Sequence, residues 1–200
     1  MSLVTSHEQL TELYGEPVPR SITKVVGQIT PLYRRWIEAS SFLVLSTVGA
    51  RGVDSSPRGD QGPVVLIEDP QTILLPDWLG NNRIDSLRNL VDDPRCSLMF
   101  LIPKVENVVR VNGSAQISVE PQLLARFERN GKLPRSVIVF TVREAYFQCA
   151  KAIMRSGLWA QGLDKPDVPS AGQFAQEVDQ GFDGQAYDDG YAEYAKGRMW

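Results

Sequence analysis

The sequence predicts a mostly β protein (α+β), an antiparallel barrel with peripheral helices. Its 200 residues include six or seven segments that have the alternation or the β-branched composition of strands. The segments are closely spaced, with few helices between them, which favours antiparallel pairing over a doubly wound parallel sheet. Hydrophobic residues make up 42% of the chain and charged residues 22%, so the composition is typical of a folded domain.

The N-terminal half predicts helices first and strands after them. A short helix is expected over residues 6–14, with Ser6 as its cap and Gly15 at its end. Further helix is expected between residues 19 and 39, with a break or a fresh start at Pro31. The run FLVLSTV, which Gly49 ends, indicates a buried strand. Shorter extended segments are predicted at 54–57, 64–68 and 72–76.

The second half predicts the remaining strands around a central helix. That helix is expected from about residue 80 to 91, with Asn81 or Asn82 as its cap and the sequence DDP as its stop. Gly113 is expected to form a bulge in its strand. The predicted strands are 96–102, 108–118 and 136–142, and the predicted helices are 121–130 and 145–155.

Charge and composition exclude several classes of protein. The net charge of −3 and the isoelectric point near 5.3 argue against a general nucleic-acid or anionic-membrane binder. Residues 166–200 hold seven acidic residues against Lys196 and Arg198, so the body of the chain is mildly basic. No apolar stretch reaches the length of a membrane span and no signal-peptide pattern is visible, so we expect a cytoplasmic protein.

Histidine and cysteine are too scarce for several kinds of site. His7 is the only histidine and lies close to the N-terminus, while Cys96 and Cys149 stand far apart in apolar stretches. Zinc sites, histidine-based triads and a disulfide framework are therefore excluded, and no metal site is predicted. Both cysteines are expected to be buried thiols. Any reaction must proceed without histidine, which indicates a cofactor.

The segment LPDWLGNNRIDSL suggests a site for a small anion. It runs from the end of a strand into the predicted helix start, where free backbone amides and the helix dipole would add to Asn82 and Arg83. Arg58, before a Gly- and Pro-rich turn, is a candidate second arm because a guanidinium binds two phosphate oxygens at once. In the alternative interpretation, the asparagines only cap the helix and the arginines face water.

Other candidate residues allow two interpretations each. Arg110, between valines of a strand, either faces water or points into a cleft. Lys151 stands one helical turn before Arg155, which fits either a ligand site or a solvated face. Trp78 and Trp159 either stack on a planar ligand or pack in the core.

The order of these motifs resembles the pyridoxamine 5'-phosphate oxidase-related family of FMN-binding split barrels. The resemblance runs from about Trp36 to Trp159. The segments that carry it are SFLVLSTVG, residues 54–66 (with SPRGDQGPVVL), DWLGNNRIDSLRNLVDDPRCSLMFLIP and ENVVRVNGSAQIS. The longer motifs PRGD, DWLGNNR and CAKAIMRSGLW are similar to an uncharacterised branch of FMN-dependent enzymes rather than to the vitamin B6 oxidases.

The resemblance implies a six-stranded split barrel that forms a homodimer, with FMN in two clefts at the subunit interface. It implies that Arg58, Asn82 and Arg83 hold the FMN phosphate, and that Asp60 and Asp77 approach the ribityl chain or the ring edge. The resemblance also implies that Arg110 reaches the flavin ring or the phosphate of the partner's cofactor. Lys151 is the last expected cofactor contact, and either Lys151 or Arg110 is a candidate for a positive charge near the ring.

Three departures separate this chain from the B6 oxidases. Asn82-Arg83 stands where those enzymes usually have an Arg-Lys pair, and Val108 stands where a glutamine is usual. The arginine and histidine that bind the B6 phosphate also have no clear counterpart. The resemblance therefore supports FMN binding more strongly than it supports oxidation of a B6 vitamer.

These observations lead to one functional expectation and two alternatives. We expect an FMN-dependent oxidoreductase acting on an unidentified small molecule. The alternatives are a non-catalytic flavin binder or redox sensor, and a haem-binding split barrel. The expected organisation is a helical segment at 1–35, the FMN-binding barrel at 36–160 and an acidic tail at 161–200, either flexible or covering the dimer partner or the site.

Overall fold

Seven strands form one antiparallel sheet in the computed structural model, which describes residues 2–160 and 166–196. The order across the sheet is β2-β1-β5-β6-β7-β4-β3. The family resemblance implied six strands, one fewer than the described residues contain. The strands are β1 (Phe42–Gly49), β2 (Gly52–Gly59), β3 (Leu66–Asp69), β4 (Thr72–Asp77), β5 (Arg95–Leu101), β6 (Val108–Ser118) and β7 (Ser136–Gln148).

Helices lie before, between and after these strands, as expected for peripheral elements. In the described parts of the chain, none of them is long and apolar enough to cross a membrane. The helices are α1 (His7–Tyr14), α2 (Pro19–Thr23), α3 (Pro31–Glu38), α4 (Asp85–Asp92), α5 (Pro121–Ala125), α6 (Lys151–Ser156), α7 (Ala171–Val178) and α8 (Gly184–Lys196).

Several helix ends fall where the sequence predicts them. Ser6 caps α1, because its hydroxyl accepts a hydrogen bond from the amide of Gln9 at 3.3 Å, and Gly15 ends the helix with a positive φ of 71°. Pro31 is the first residue of α3, where its missing amide hydrogen costs nothing. Local capping chemistry therefore determines these boundaries.

The helices predicted at 145–155 and 121–130 are wrong in extent. The helix expected from Ala145 begins only at Lys151, because residues up to Gln148 continue β7 and pair with β6 along its whole length. The helix expected over 121–130 ends at Ala125. In the first case, pairing with a distant strand overrides the local preference.

The larger core cluster lies on one face of the curved sheet, and a smaller cluster around Phe127 is separate from it. Alternate residues of β1, β5, β6 and β7 point into the larger cluster, and Leu43, Leu98, Phe100 and Phe140 are completely buried. Ile37 of α3 is also fully buried and closes the core from one side. This cluster includes residues of β4, one of the two strands whose ends form the site.

The predicted bulge at Gly113 is confirmed. The register between β6 and β7 shifts between Asn112 and Gly113. A side chain on Gly113 would collide with the backbone oxygen of Thr141 and with the ring of Phe140. The absence of a side chain therefore lets the two longest strands approach each other closely.

Only one of the two cysteines is buried as predicted. Cys96 is buried in β5, and burial raises the pKa of its thiol to about 12. Cys149 is exposed, because it follows the end of β7 rather than lying inside a helix packed on the core. The prediction of two buried thiols is wrong at this position.

Candidate functional site

A cavity of about 810 Å³ opens where the ends of β2 and β4 come together. These strands occupy the first and sixth positions across the sheet, so they do not pair, and curvature of the sheet brings them together. Its volume lies within the range of small-molecule sites. Residues 56–60 and 75–84 contribute most of the lining, together with Val64, Leu87, Arg135, Ser136, Tyr187, Tyr191, Tyr194 and Ala195.

An ion pair between Arg58 of β2 and Asp77 of β4 spans the gap between these strands. The Arg58 guanidinium donates through Nη1 to Oδ1 of Asp77, and the two side chains are 22% and 11% exposed. The Nε atom of Arg58 is buried and has no hydrogen-bond partner among the residues that the structure describes. Arg58, which lines the cavity, therefore has a buried donor that no described residue satisfies.

Asp60 is held by a second arginine, which the sequence did not point to. Nη1 of Arg129 donates to Oδ1 of Asp60, whose side chain is only 6% exposed. The same guanidinium lies over the ring of Trp78, with its Cζ 5.8 Å from the ring centroid. Trp78 itself lines the cavity, which keeps open both the stacking and the packing interpretation of this residue.

The segment from Asn81 to Ile84 forms an irregular loop rather than the start of a helix. Asn82 has a positive φ of 62°, and Oδ1 of Asn81 accepts a hydrogen bond from the amide of Arg83 at 3.0 Å. Such local bonds of asparagine compete with helix formation. α4 begins at Asp85, with Ile84 at its N-cap and no side-chain cap. The prediction that the helix terminus and its dipole lie at Asn82 and Arg83 is therefore wrong.

Arg83 extends from the rim of the cavity into solvent. Its side chain is 82% exposed, and its Nε lies 2.8 Å from Oδ2 of Asp85. The hydrogen bond from Arg83 lowers the pKa of Asp85 below its usual value. Asn82 and Arg83 both line the cavity, so the loop still presents an amide and a guanidinium to it.

Arg135 and Ser136 also line the cavity and were missed from the sequence. Ser136 pairs with Asp77 across β7 and β4, and the amide of Arg135 donates to the backbone oxygen of Asp77 at 2.8 Å. The Ser136 hydroxyl is buried, with no hydrogen-bond partner in the described parts of the chain. The sequence signal was weak, an arginine directly before a buried strand, and the pairing of β7 with β4 was needed to locate it.

Five of the seven residues predicted as cofactor contacts line this one cavity. They are Arg58, Asp60, Asp77, Asn82 and Arg83. Arg110 and Lys151 are not among the described residues that line it. Arg110 lies in β6, at the centre of the sheet, with its Cζ 5.4 Å from the ring centroid of Tyr146, and Lys151 is the exposed first residue of α6.

Trp159 and the acidic tail have defined positions. The indole Nε1 of Trp159 donates to the backbone oxygen of Val105 at 3.0 Å, which fits a packing role. Residues 171–196 form the helices α7 and α8, and α8 contributes three tyrosines to the cavity lining. The remainder of the expected tail, residues 161–165 and 197–200, lies outside the described residues.

The chemistry of the lining fits the phosphate end of FMN. Arg58, Arg83 and Arg135 outnumber the two carboxylates in the described lining, Asp60 and Asp77, and each carboxylate already has an arginine partner. The buried donors Arg58 Nε and Ser136 Oγ, which no described residue satisfies, are both able to donate to a phosphate oxygen. In the described parts of the chain, no group of three or more His, Cys, Asp or Glu side chains is arranged to hold a metal ion.

A family model described as pyridoxamine 5'-phosphate oxidase matches residues 29–149, more than half of the chain. A comparison with curated protein sequences gave no match. Among solved structures, HupZ from Group A Streptococcus is 17% identical, and the match covers 60% of this chain and 99% of that chain with a TM-score of 0.50. This likeness supports the split-barrel fold.

Two further structures match more loosely. General stress protein 26 from Bacillus anthracis is 17% identical over 57% of this chain and 88% of its own, with a TM-score of 0.42. An FMN-binding protein from Syntrophomonas wolfei is 16% identical over 71% of this chain and 96% of its own, with a TM-score of 0.44.

Proposed function

Because this chain belongs to the pyridoxamine 5'-phosphate oxidase family, we propose that it binds FMN in the cavity between β2 and β4. We further propose that it acts as a homodimeric, flavin-dependent oxidoreductase on a small molecule. The observation that carries the proposal is the pair of buried donors, Arg58 Nε and Ser136 Oγ, that no described residue satisfies, in a cavity lined by three arginines.

Each lining residue has a distinct part in this proposal. Arg58, Asn82 and Arg83 hold the phosphate, and Arg135 and Ser136 add donors beside them. Asp60 and Asp77 accept hydrogen bonds from the ribityl hydroxyls or the ring edge. Their ion pairs with Arg129 and Arg58 hold both carboxylates in place before the ligand arrives, so little ordering remains to be done on binding.

Flavin, when bound, supplies hydride or electron transfer, so no histidine is required of the protein. The chain contributes position and electrostatics. In a homodimer, Arg110 and Lys151 are proposed to reach the partner subunit's cofactor, where a positive charge stabilises a reduced, anionic ring. An Arg110→Ala variant is expected to lower the reduction potential of the bound flavin, and an unchanged potential would remove this role.

Paired titrations with FMN and riboflavin test the proposal, since the two ligands differ only in the phosphate. We expect FMN to bind more tightly than riboflavin, with the protein turning yellow. An Arg83→Gln variant is expected to weaken FMN binding about tenfold, the size of one charge-assisted hydrogen bond, and to leave riboflavin binding unchanged. Arg20→Gln, on the exposed helix α2, is the control and is expected to behave as wild type.

The outcomes separate the alternatives. Colourless protein whose spectrum does not respond to added FMN would contradict the proposal. Yellow protein that oxidises NADH, NADPH or another donor would support the oxidoreductase, whereas yellow protein that stays inert with these donors would indicate a flavin binder. Size-exclusion chromatography with light scattering measures the proposed dimer.

A further inference from the structure

Three tyrosines on one face of α8 line the same cavity as the arginines. Tyr187, Tyr191 and Tyr194 are spaced at i, i+4 and i+7, so they fall on one side of the helix. Their rings follow one another, with centroids 5.7 Å apart for the first pair and 6.4 Å for the second, and Phe182 extends the row at 5.5 Å from Tyr187. We call Tyr187, Tyr191 and Tyr194 the tyrosine face.

The helix that carries the tyrosine face is fixed to α7. The carboxylate of Asp188 accepts hydrogen bonds from the hydroxyl of Ser170 and, at 2.9 Å, from the amide of Gly172. Gly172 and Gly184 touch backbone to backbone, with no room for a side chain on either. α8 is therefore held in one orientation relative to α7 by contacts that involve no ligand.

The tyrosine rings are not buried by the protein itself. Tyr187, Tyr191 and Tyr194 are 39%, 51% and 55% exposed. Aromatic rings that served only to pack α8 onto the barrel would be largely covered. Rings that are half exposed, arranged in a row and directed into a cavity provide an apolar surface that a planar ligand is able to cover.

We propose that the tyrosine face stacks against the ring system of the flavin whose phosphate the arginines hold. The cavity combines cationic donors and aromatic surface, so a ligand that satisfies both has an anionic end and a flat aromatic body. This inference rests on the proposed function and extends it to the ring. It makes the C-terminal helices part of the ligand site, although they lie beyond the family match at residues 29–149.

Substitution of the middle tyrosine tests the proposal. Tyr191→Leu is expected to weaken the binding of FMN and of riboflavin by the same factor, about five- to tenfold, because stacking involves the ring and not the phosphate. Tyr191→Phe retains the ring and is expected to bind both ligands within about twofold of wild type. Tyr14→Leu, at an 83% exposed tyrosine of α1, is the matched control and is expected to change neither affinity.

Flavin fluorescence gives a second measurement in the same titrations. An electron-rich phenol stacked on the isoalloxazine quenches its emission, so bound FMN is expected to be brighter in Tyr191→Leu than in the wild type. Should Tyr191→Leu fail to fold, nitration of the wild-type tyrosines replaces it. Saturating FMN is then expected to protect the peptide with the tyrosine face and to leave Tyr14 equally reactive.

Two results would overturn the inference in different ways. The first result is that folded Tyr191→Leu binds both flavins as tightly as the wild type, or that FMN does not change nitration of the tyrosine face. Either finding would show that α8 does not contact the flavin ring, and FMN binding by the wild-type protein would still support the proposed function. No binding of FMN by the wild-type protein would instead remove the proposed function and this inference with it.

Discussion

The Arg58–Asp77 ion pair is expected to contribute to folding as well as to the site, since it joins β2 to β4 without any strand pairing between them. In Arg58→Leu, the Asp77 side chain loses its ion-pair partner in a place that is only 11% exposed. Breaking a fully buried pair costs about 3–5 kcal/mol. Because the Arg58 side chain is 22% exposed, we expect a smaller loss in the free energy of unfolding, about 2 kcal/mol.

The assay is urea unfolding of the flavin-free protein at fixed protein concentration, followed by circular dichroism. A loss of about 2 kcal/mol corresponds to a decrease of about 4–8 °C in melting temperature for a chain of this size. Asp77→Asn and the double variant complete a cycle, in which we expect a coupling energy of about 1–2 kcal/mol. The matched control is Arg126→Leu, whose ion pair with Glu68 is well exposed, so its unfolding free energy is expected to stay close to that of wild type.

Additive losses would refute this reasoning. If the double variant lost the sum of the two single losses to within about 0.3 kcal/mol, Arg58 and Asp77 would act independently. A loss in Arg58→Leu no larger than that in Arg126→Leu would show that the contact across the gap does not stabilise the fold. Either result would mean that packing of the core alone, without the Arg58–Asp77 ion pair, maintains the curvature of the sheet.

Three further predictions concern the barrel itself. Gly113→Ala is expected to lower the free energy of unfolding by about 2–4 kcal/mol, because the added methyl group collides with backbone. In the control Gly62→Ala, the methyl group meets no described atom, so this variant is expected to be about as stable as the wild type. Equal urea midpoints for the two variants would contradict the prediction. A thiol reagent at pH 8 is expected to modify Cys149 but not Cys96 until the protein is unfolded, and two reactive thiols in the folded protein would contradict it. Hydrogen bonds from its arginine partner lower the pKa of Asp93 to about 2, so its carboxylate stabilises the fold above pH 4 and loses that effect as the pH falls towards 2. Asp93→Asn is expected to flatten this part of the stability profile, measured by urea unfolding between pH 5 and pH 2, and an unchanged profile would count against it.

Local chemistry made much of the fold predictable. The strand β1, which is buried at alternate positions, and the bulge at Gly113 both follow from residue types within a few positions. The same is true of the cap at Ser6 and the helix start at Pro31. For these features the determining residues lie close in sequence, and the prediction from the sequence is confirmed.

Non-local pairing explains one error of the sequence prediction, and local asparagine chemistry explains another. Ala145 to Gln148 form a strand because β6 is available to pair with them, and nothing in their own composition requires it. The loop at Asn82 replaces the first part of a predicted helix because one asparagine bonds to the backbone locally and the other accepts a positive φ. In both places the spacing of apolar residues is compatible with a helix, so helical periodicity does not predict the strand or the loop that forms.

The candidate site was predicted only in part, because some of its residues lie in short sequence motifs and others are brought in by contacts distant in sequence. Arg58 and Arg83 stood in motifs that the sequence made visible. Arg129 reaches Asp60 across 69 positions of the chain, and Ser136 enters the site through the pairing of β7 with β4. The tyrosine face depends on the direction in which α8 packs, which the composition of an acidic tail does not reveal.

A crystal structure of the protein grown with FMN tests the central claim most directly. The account predicts the phosphate in the cavity between β2 and β4, with a phosphate oxygen within hydrogen-bond distance of Arg58 Nε or Ser136 Oγ. Flavin bound elsewhere, or held in this cavity with its phosphate in solvent and both donors still without a partner, would contradict it.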